Sequence, residues 1–229
     1  MSLIVYWCAE VAEKFPELAV AIGSINQVSV ERENSKIQEL KRAVYAEVRS
    51  KYALETLKDN PIVRAYRDLY WRLGIDPTKT RPSGEALLRR VLRGNPLPTI
   101  STAVDAYNLA SMKTIIPISG FDIDKLNPPL NVRFAEKSEE FKGIGMNETL
   151  KLDDNLLVLA DRQRVICIYP HRDSDYTKIT ATTRKILIVG YGAPRISRQQ
   201  LEEAVKLALN YIKAVCGGEI DSISFFSPR

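Results

Sequence analysis

The stretch TAVDAYNLASMKTII (residues 102–116) has the length and composition of a helix, yet it carries polar groups in a largely apolar sequence. Asp105 and Asn108 are three residues apart, so both project from the same face of this helix. Buried polar groups need hydrogen-bond partners. We therefore predict a helix over residues 102–116 whose two polar side chains either tie it to a neighbouring loop or face a site.

Helical patterns occur on both sides of this stretch. Apolar residues recur at three- and four-residue spacing from Ser35 to Tyr52, which predicts an amphipathic helix. Asn60-Pro61 is typical of a helix start, and Ser83 is the predicted N-cap of a further helix. The flanking helices are predicted at residues 35–52, 60–74, 83–94 and 197–216.

Short apolar runs, several of them bounded by turn residues, predict strands in the rest of the chain. These runs lie at residues 3–7, 18–30, 130–134, 156–159, 165–169, 185–189 and 220–226. No internal repeat or long linker interrupts the chain. We predict one α+β domain over residues 1–229, with a mixed β core flanked by amphipathic helices. It comprises N-terminal strands and helices (1–75), a core that bears the motifs (76–195) and a C-terminal helix and strand (196–229).

Composition places the chain among ordinary globular proteins. Its 229 residues are 45% hydrophobic and 27% charged. No run approaches the roughly 20 apolar residues of a membrane span, and Met1 to Phe15 lacks the layout of a signal peptide. We therefore expect a cytoplasmic protein without a membrane partner.

The cysteine and histidine content argues against a metal site. Cys8, Cys167 and Cys216 lie far apart, and His171 is the sole histidine of the sequence. Buried packing is the usual role of free cysteines. Neither a metal nor a cofactor is expected.

Positive charge is concentrated between Lys36 and Arg93, where fourteen Lys and Arg stand against seven Asp and Glu. This asymmetry indicates either a polyanion partner or a solvated helical surface. The candidate phosphate contacts follow two prolines or lie on the helix after Ser83, and Glu85 is placed to pair with Arg89 at i,i+4 spacing. They are Lys79, Arg81, Arg89, Arg90 and Arg93.

A second polar group occupies the turn between two predicted strands, Tyr169 to Thr177. It contains His171, Asp173 and Ser174 within four residues. Members of a hydrolytic triad come from separate parts of a fold, whereas neighbours on a turn point apart. We therefore favour a polar rim over a pocket rather than a triad at this turn.

The order of several segments resembles one known family. The segments are Tyr66 to Gly74, Asp76 to Arg90, Leu97-Pro98-x-Ile100, Val104 to Ser111, Pro117 to Leu126 and Arg172-Asp173-Ser174. Over about residues 10–218 the chain resembles freestanding relatives of the tRNA-editing domain of the bacterial-type phenylalanyl-tRNA synthetase β subunit. In the synthetase, the third and fourth modules form that domain, which hydrolyses tyrosine wrongly esterified to phenylalanine tRNA.

The resemblance implies candidate site residues by position. Asn108 matches the Asn of a Thr-Asn pair that lines the synthetase pocket, and Tyr107 stands where that Thr would be. Ser119 occupies the position of the pocket histidine, while Asp173 is the nearest match to the pocket acid. The resemblance thus implies Asn108, Asp173 and Ser119 as catalytic residues. The substrate contacts would be Asp105, Tyr107, Arg172, Ser174 and His171.

Three functions are compatible with these features. The first hypothesis is a protein that binds the acceptor end of aminoacylated tRNA and hydrolyses a misacylated ester, which a positioned water could achieve without a triad or metal. The second is a nonenzymatic RNA-binding module that uses the same basic face. The third is a pocket protein for an amino-acid-like small molecule. The charge asymmetry favours the RNA-linked hypotheses.

Overall fold

The fold contains two main β-sheets, and helices pack on the second of them. The computed structural model describes residues 3–228. Within this range the α-helices are α1 (Ala9–Lys14), α2 (Ser35–Lys51), α3 (Pro61–Arg72), α4 (Ser83–Leu92), α5 (Thr102–Thr114) and α6 (Arg198–Cys216). The strands of the same range are β1 (Val5–Trp7), β2 (Val20–Asn26), β3 (Ile118–Asp122), β4 (Leu130–Phe134), β5 (Glu140–Phe141), β6 (Leu150–Lys151), β7 (Leu157–Ala160), β8 (Val165–Ile168), β9 (Arg172–Asp173), β10 (Lys185–Tyr191) and β11 (Glu219–Phe226).

The first sheet has the strand order β1-β4-β7-β8-β9. β1 runs parallel to β4, and the remaining neighbours are antiparallel. The second sheet has the order β11-β2-β10-β3 and is antiparallel throughout. β9 and β3 are therefore edge strands of the two sheets. β5 and β6 form a separate hairpin.

Helix α6 lies directly on the second sheet. Its capping box joins Ser197 and Gln200, and its apolar positions recur at helical spacing on one buried face. A Cβ atom added at Gly23 of β2 would lie 2.6 Å from the side chain of Leu209. The absence of a side chain at this position therefore allows the helix to approach the strand closely.

Helix α5 is buried on nearly every side because it packs against α2, α4, α6 and β3. Ser101 caps its start by accepting a hydrogen bond from the Val104 amide. The helix ends at Thr114, and the next residue, Ile115, has a left-handed φ of 63°. The chain then enters β3, so α5 sets the position of Ser119 on that edge strand.

The α+β architecture with amphipathic helices is confirmed, and the predicted helices lie within a few residues of their predicted bounds. The predicted N-cap at Ser83 is wrong: Pro82 holds the N-cap position without a side-chain hydrogen bond, and Ser83 is the first helical residue. Close packing sets this helix start instead, since a Cβ atom at Gly84 would lie 2.6 Å from the backbone of Ile115. None of the helices in residues 3–228 combines the length and apolar character needed to cross a membrane.

Candidate functional site

A hydrogen bond joins the edge strands of the two sheets. The Ser119 hydroxyl on β3 donates to Oδ1 of Asp173 on β9 at 2.6 Å. Ser119 is buried, whereas Asp173 retains partial solvent access. The structure thus brings together two residues that lie 54 positions apart in the sequence.

The environment of Asp173 favours a carboxyl group that titrates near neutral pH. Burial raises its pKa to about 6, although the hydrogen bond from Ser119 acts in the opposite direction. Cys167 stands opposite Asp173 in the β8–β9 register. A carboxylate with such a pKa is mostly ionised at pH 7 and can still accept a proton effectively.

Buried tyrosines surround this pair and leave polar atoms without partners. The Tyr191 hydroxyl faces Cys167 and Ser119, yet it forms no hydrogen bond of good geometry with any described residue. The Tyr70 hydroxyl is also buried without such a partner. The Tyr191 ring packs edge-on against Tyr169, with their centroids 4.9 Å apart. Unpartnered polar atoms of this kind are places where a water molecule or a substrate atom can bind.

The remaining residues of the Tyr169–Thr177 turn point in different directions. The His171 ring packs edge-on against Tyr70, and burial followed by the charge of Arg172 lowers its pKa to about 4. His171 is therefore neutral at pH 7. Ser174 is buried and accepts a hydrogen bond from the Tyr176 amide, so its hydroxyl organises the turn. Arg172 is exposed and lies over Gly143. The side chains of His171, Asp173 and Ser174 therefore have separate surroundings.

The predicted residues of α5 have three different environments. Asp105 is buried, with Oδ2 2.6 Å from Nζ of Lys41 and Oδ1 accepting the Ile100 amide at 3.0 Å. It therefore ties α5 to α2 and to the preceding loop. This is the first of the two roles that the sequence predicted for this residue, the other being to face a site. Tyr107 packs on Gly120 of β3, and burial followed by the charge of Asp173 raises its pKa. Asn108 is half-buried, and its side-chain amide makes no hydrogen bond within residues 3–228.

The five predicted phosphate contacts line one concave surface, which we call the basic depression. Its volume is about 310 Å³, and Ala86 and Asn95 complete its lining. The side chains of Lys79, Arg81, Arg89, Arg90 and Arg93 all border it. Arg90 is held in place because its Nε donates to the Pro96 carbonyl at 2.7 Å. The arrangement concentrates positive charge in a shape that an anionic group can enter.

Glu85 of α4 bonds Arg89, one of the cations that line the basic depression. The Glu85 side chain is buried. Arg67 of α3 bonds both Glu85 oxygens, and Nε of Arg89 lies 2.6 Å from Oε1. Burial raises the Glu85 pKa, but the hydrogen bonds from Arg67 and Arg89 outweigh it and lower the pKa below its ordinary value. The predicted i,i+4 pair is confirmed, and part of the Arg89 charge is compensated.

Sequence reasoning missed several residues that shape these sites. Lys41, Arg67, Cys167 and Tyr191 come from distant segments, and no local spacing connects them to Asp105, Glu85 or Asp173. Cys167 and Cys216 are buried as predicted, while Cys8 is half-buried. Among residues 3–228, no three His, Cys, Asp or Glu side chains are grouped as metal ligands.

Comparison with known proteins identifies the family. The model of the B3/4 domain matches residues 65–217, which is more than half of the chain, so the chain belongs to the B3/4 domain family. The match covers α4, α5, α6 and the edge strands β3 and β9.

Two relatives of this chain are much longer proteins. The phenylalanine–tRNA ligase β subunit of Francisella tularensis is 29% identical over 58% of this chain and 20% of its own length. That of Haemophilus ducreyi is 26% identical over 59% of this chain and 20% of its own length. The chain thus spans about a fifth of the length of these relatives.

A solved structure shows the same fold. An N-terminal fragment of the phenylalanyl-tRNA synthetase β subunit from Pyrococcus horikoshii superposes with a TM-score of 0.52 at 16% identity. The superposition covers 96% of this chain and 50% of the fragment. At this identity the comparison establishes the fold, and the β-subunit relatives link the domain to proteins of tRNA aminoacylation.

The buried Glu85 is expected to be a major determinant of stability. Glu85→Ala leaves Arg67 and Arg89 without their shared carboxylate, and we expect it to lower the free energy of unfolding by about 3 kcal/mol. Urea unfolding monitored by circular dichroism measures this loss. Asp59→Ala breaks the exposed Arg64–Asp59 pair and serves as the control, with an expected loss below about 1 kcal/mol. Equal losses in both variants would contradict a supporting role for Glu85.

The raised pKa of Asp173 predicts a pH-dependent stability. Folding favours the protonated carboxyl, so this contribution is present below about pH 4 and is lost as the pH rises through about 6. Asp173→Asn cannot ionise. Between pH 4 and pH 7.5, the parent should therefore lose roughly 2 kcal/mol of unfolding free energy relative to this variant.

Urea unfolding across this pH range tests the expectation. Asp175→Asn, which removes a nearby carboxylate paired with Lys178, is the matched control. Parallel stability curves for the parent and Asp173→Asn would show that Asp173 titrates normally.

Proposed function

We propose that this protein is an aminoacyl-tRNA deacylase that hydrolyses a misacylated ester at the Ser119–Asp173 pair. The observation that carries the proposal is the 2.6 Å hydrogen bond that places these residues together between the sheets. Membership of the B3/4 family supports it, because the relatives that carry the domain are phenylalanine–tRNA ligase β subunits.

In the proposed reaction, Asp173 is the general base. Its carboxylate takes a proton from a water molecule, and the water oxygen forms a bond to the ester carbonyl carbon. The bond from that carbon to the ribose oxygen then breaks, and the proton passes to the ribose oxygen. The products are a free amino acid and a tRNA with a restored hydroxyl group. Ser119 orients the Asp173 carboxylate through its hydrogen bond.

Asn108 is the proposed substrate contact on α5, as the resemblance implies. It offers a side-chain amide that no described residue occupies, so it can bind the carbonyl or amino group of the aminoacyl ester. Tyr107 forms an apolar wall on β3 through its contact with Gly120. Asp105 is assigned a structural role, because both of its oxygens are engaged by Lys41 and Ile100.

The basic depression is the proposed contact for the tRNA backbone. It groups five cations on one concave surface, and phosphate contacts supply most of the sequence-independent affinity of proteins for nucleic acids. The same observation supports the second candidate function, an RNA-binding module without catalysis, since the depression is complete independently of Asp173. An amino-acid-binding pocket protein would require neither RNA nor this surface.

Hydrolysis of a panel of matched and mismatched aminoacyl-tRNAs tests the deacylase. The parent should release amino acid from particular charged tRNAs above a no-protein control. Asp173→Asn should reduce the rate by about 100-fold or more, because it removes the general base. Asn108→Ala should also reduce the rate, and tRNA binding should persist in both variants.

Asp175→Asn controls for the loss of a carboxylate in the same turn and should hydrolyse like the parent. Binding without release across the panel would replace the deacylase with the RNA-binding module. Stabilisation by a free amino acid without RNA would instead favour the small-molecule pocket. Parent-like rates in both Asp173→Asn and Asn108→Ala would refute the site assignment.

The basic depression predicts a specific salt dependence of tRNA binding. Arg81→Ala combined with Arg93→Ala removes two cations that, unlike Arg89, are not bonded to Glu85. The slope of log affinity against log salt should become shallower by about 1 to 2, with a uniform loss across tRNA species. Filter binding at several salt concentrations measures this slope. Lys137→Ala, at an exposed position outside the depression, should leave it unchanged.

A further inference from the structure

An exposed aromatic ring is paired with an arginine beside the candidate site. Tyr176 is 55% exposed, and the guanidinium carbon of Arg164 lies 4.5 Å from the centroid of its ring. Both backbones are fixed by short turns: the Tyr176 amide donates to Oγ of Ser174, and the Arg164 amide donates to Oδ1 of Asp161. The ring and the guanidinium group are therefore presented to solvent from a rigid base.

This pair borders a groove of about 260 Å³ on the outer side of the first sheet. The groove also contains hydroxyl and amide side chains: Gln163 and Ser174 from the same two segments as the pair, and Thr149 from a third. Such groups can donate and accept hydrogen bonds at the edge of a planar ring.

The charges around the groove favour an anionic ligand that carries a flat ring. Glu139 is neutralised by a two-bond pair with Arg133, at 2.7 and 2.8 Å. Glu140 then remains against the two cations Lys142 and Arg164. Aromatic rings and arginine planes stack on nucleobases, and nearby cations attract the phosphate chain. A small anion alone would use neither the exposed Tyr176 ring nor the polar groove edge.

We propose that the Tyr176–Arg164 groove is a stacking site for one unpaired nucleobase of single-stranded RNA. The identification of that RNA as the unpaired end of tRNA rests on the proposed function. β9 connects the two places, because Asp173 faces Ser119 whereas the next residue, Ser174, lines the groove. Ser174 continues β9 in an extended conformation, so its side chain and that of Asp173 point to opposite faces. The segment 142–144 is bonded along the outer edge of these residues, and the proposed RNA end passes around this segment, stacks one base in the groove and brings its esterified ribose to Asp173.

Two oligonucleotide probes test the site. The first is a fluorescently labelled adenosine tetranucleotide, and the second is a chain with the same phosphates but no bases. Tyr176→Ala should weaken binding of the first probe by about 5- to 150-fold, the range measured for loss of one base–aromatic stack. It should leave binding of the base-free chain unchanged. Tyr176→Phe keeps the ring and should bind both probes like the parent.

Tyr6→Ala is the matched control, since Tyr6 is 53% exposed but lies on β1. Absence of tetranucleotide binding by the parent, equal weakening of both probes by Tyr176→Ala, or an equal effect of Tyr6→Ala would overturn the stacking site. Hydrolysis of aminoacyl-tRNA by the parent is measured in parallel. If the parent hydrolyses aminoacyl-tRNA but Tyr176→Ala binds the tetranucleotide like the parent, the stacking site is overturned and the deacylase is not. Tyr176-dependent binding without hydrolysis supports the stacking site and refutes the deacylase.

Discussion

The hydrogen bond between Ser119 and Asp173 links the two sheets at the edges where neither sheet continues. An edge strand normally exposes unpaired backbone groups. On β9 the segment 142–144 covers them, because the Ile144 amide donates to the Asp173 carbonyl. The side chains of Cys167, Tyr191 and Tyr107 lie near the Asp173 carboxyl group. Burial raises the pKa of Asp173, whereas the hydrogen bond from Ser119 lowers it. The same hydrogen bond therefore joins the sheets and orients the candidate base.

Buried ion pairs fix the positions of the helices. Glu85 is bonded from α3 by Arg67 and within α4 by Arg89, so it fixes the orientation of the helix that carries most of the basic depression. The buried Lys41–Asp105 pair has a similar effect on α5. Charge has two roles on these helices: buried pairs set their positions, while exposed cations remain available to a polyanion. This division explains why the net charge of residues 36–93 overstates the number of free cations.

Periodicity predicted the elements whose burial alternates along the chain. α2, α3 and α6 each bury one face, and their caps at Asn60 and Ser197 are local signals. β3 escaped a specific prediction because all five of its residues are buried, so no alternation marks it. β9 has only two residues, and its pairing with β8 is a tertiary property. The resemblance located Ser119 and Asp173, but the contact between them required the two sheets. The basic depression was predicted from a cluster of residues close in sequence, whereas the burial of Glu85 depends on Arg67 from another helix.

The contact between Gly84 and Ile115 has a mechanical consequence. A Cβ atom at Gly84 would meet the backbone of Ile115 rather than a flexible side-chain end, so the start of α4 and the end of α5 touch through groups that cannot rotate away. Ile115 is four residues before Ser119. A displacement of α4 is therefore transmitted along a short path to β3, whose Ser119 bonds the candidate base Asp173. We therefore expect the basic depression and the strand that carries Ser119 to move together.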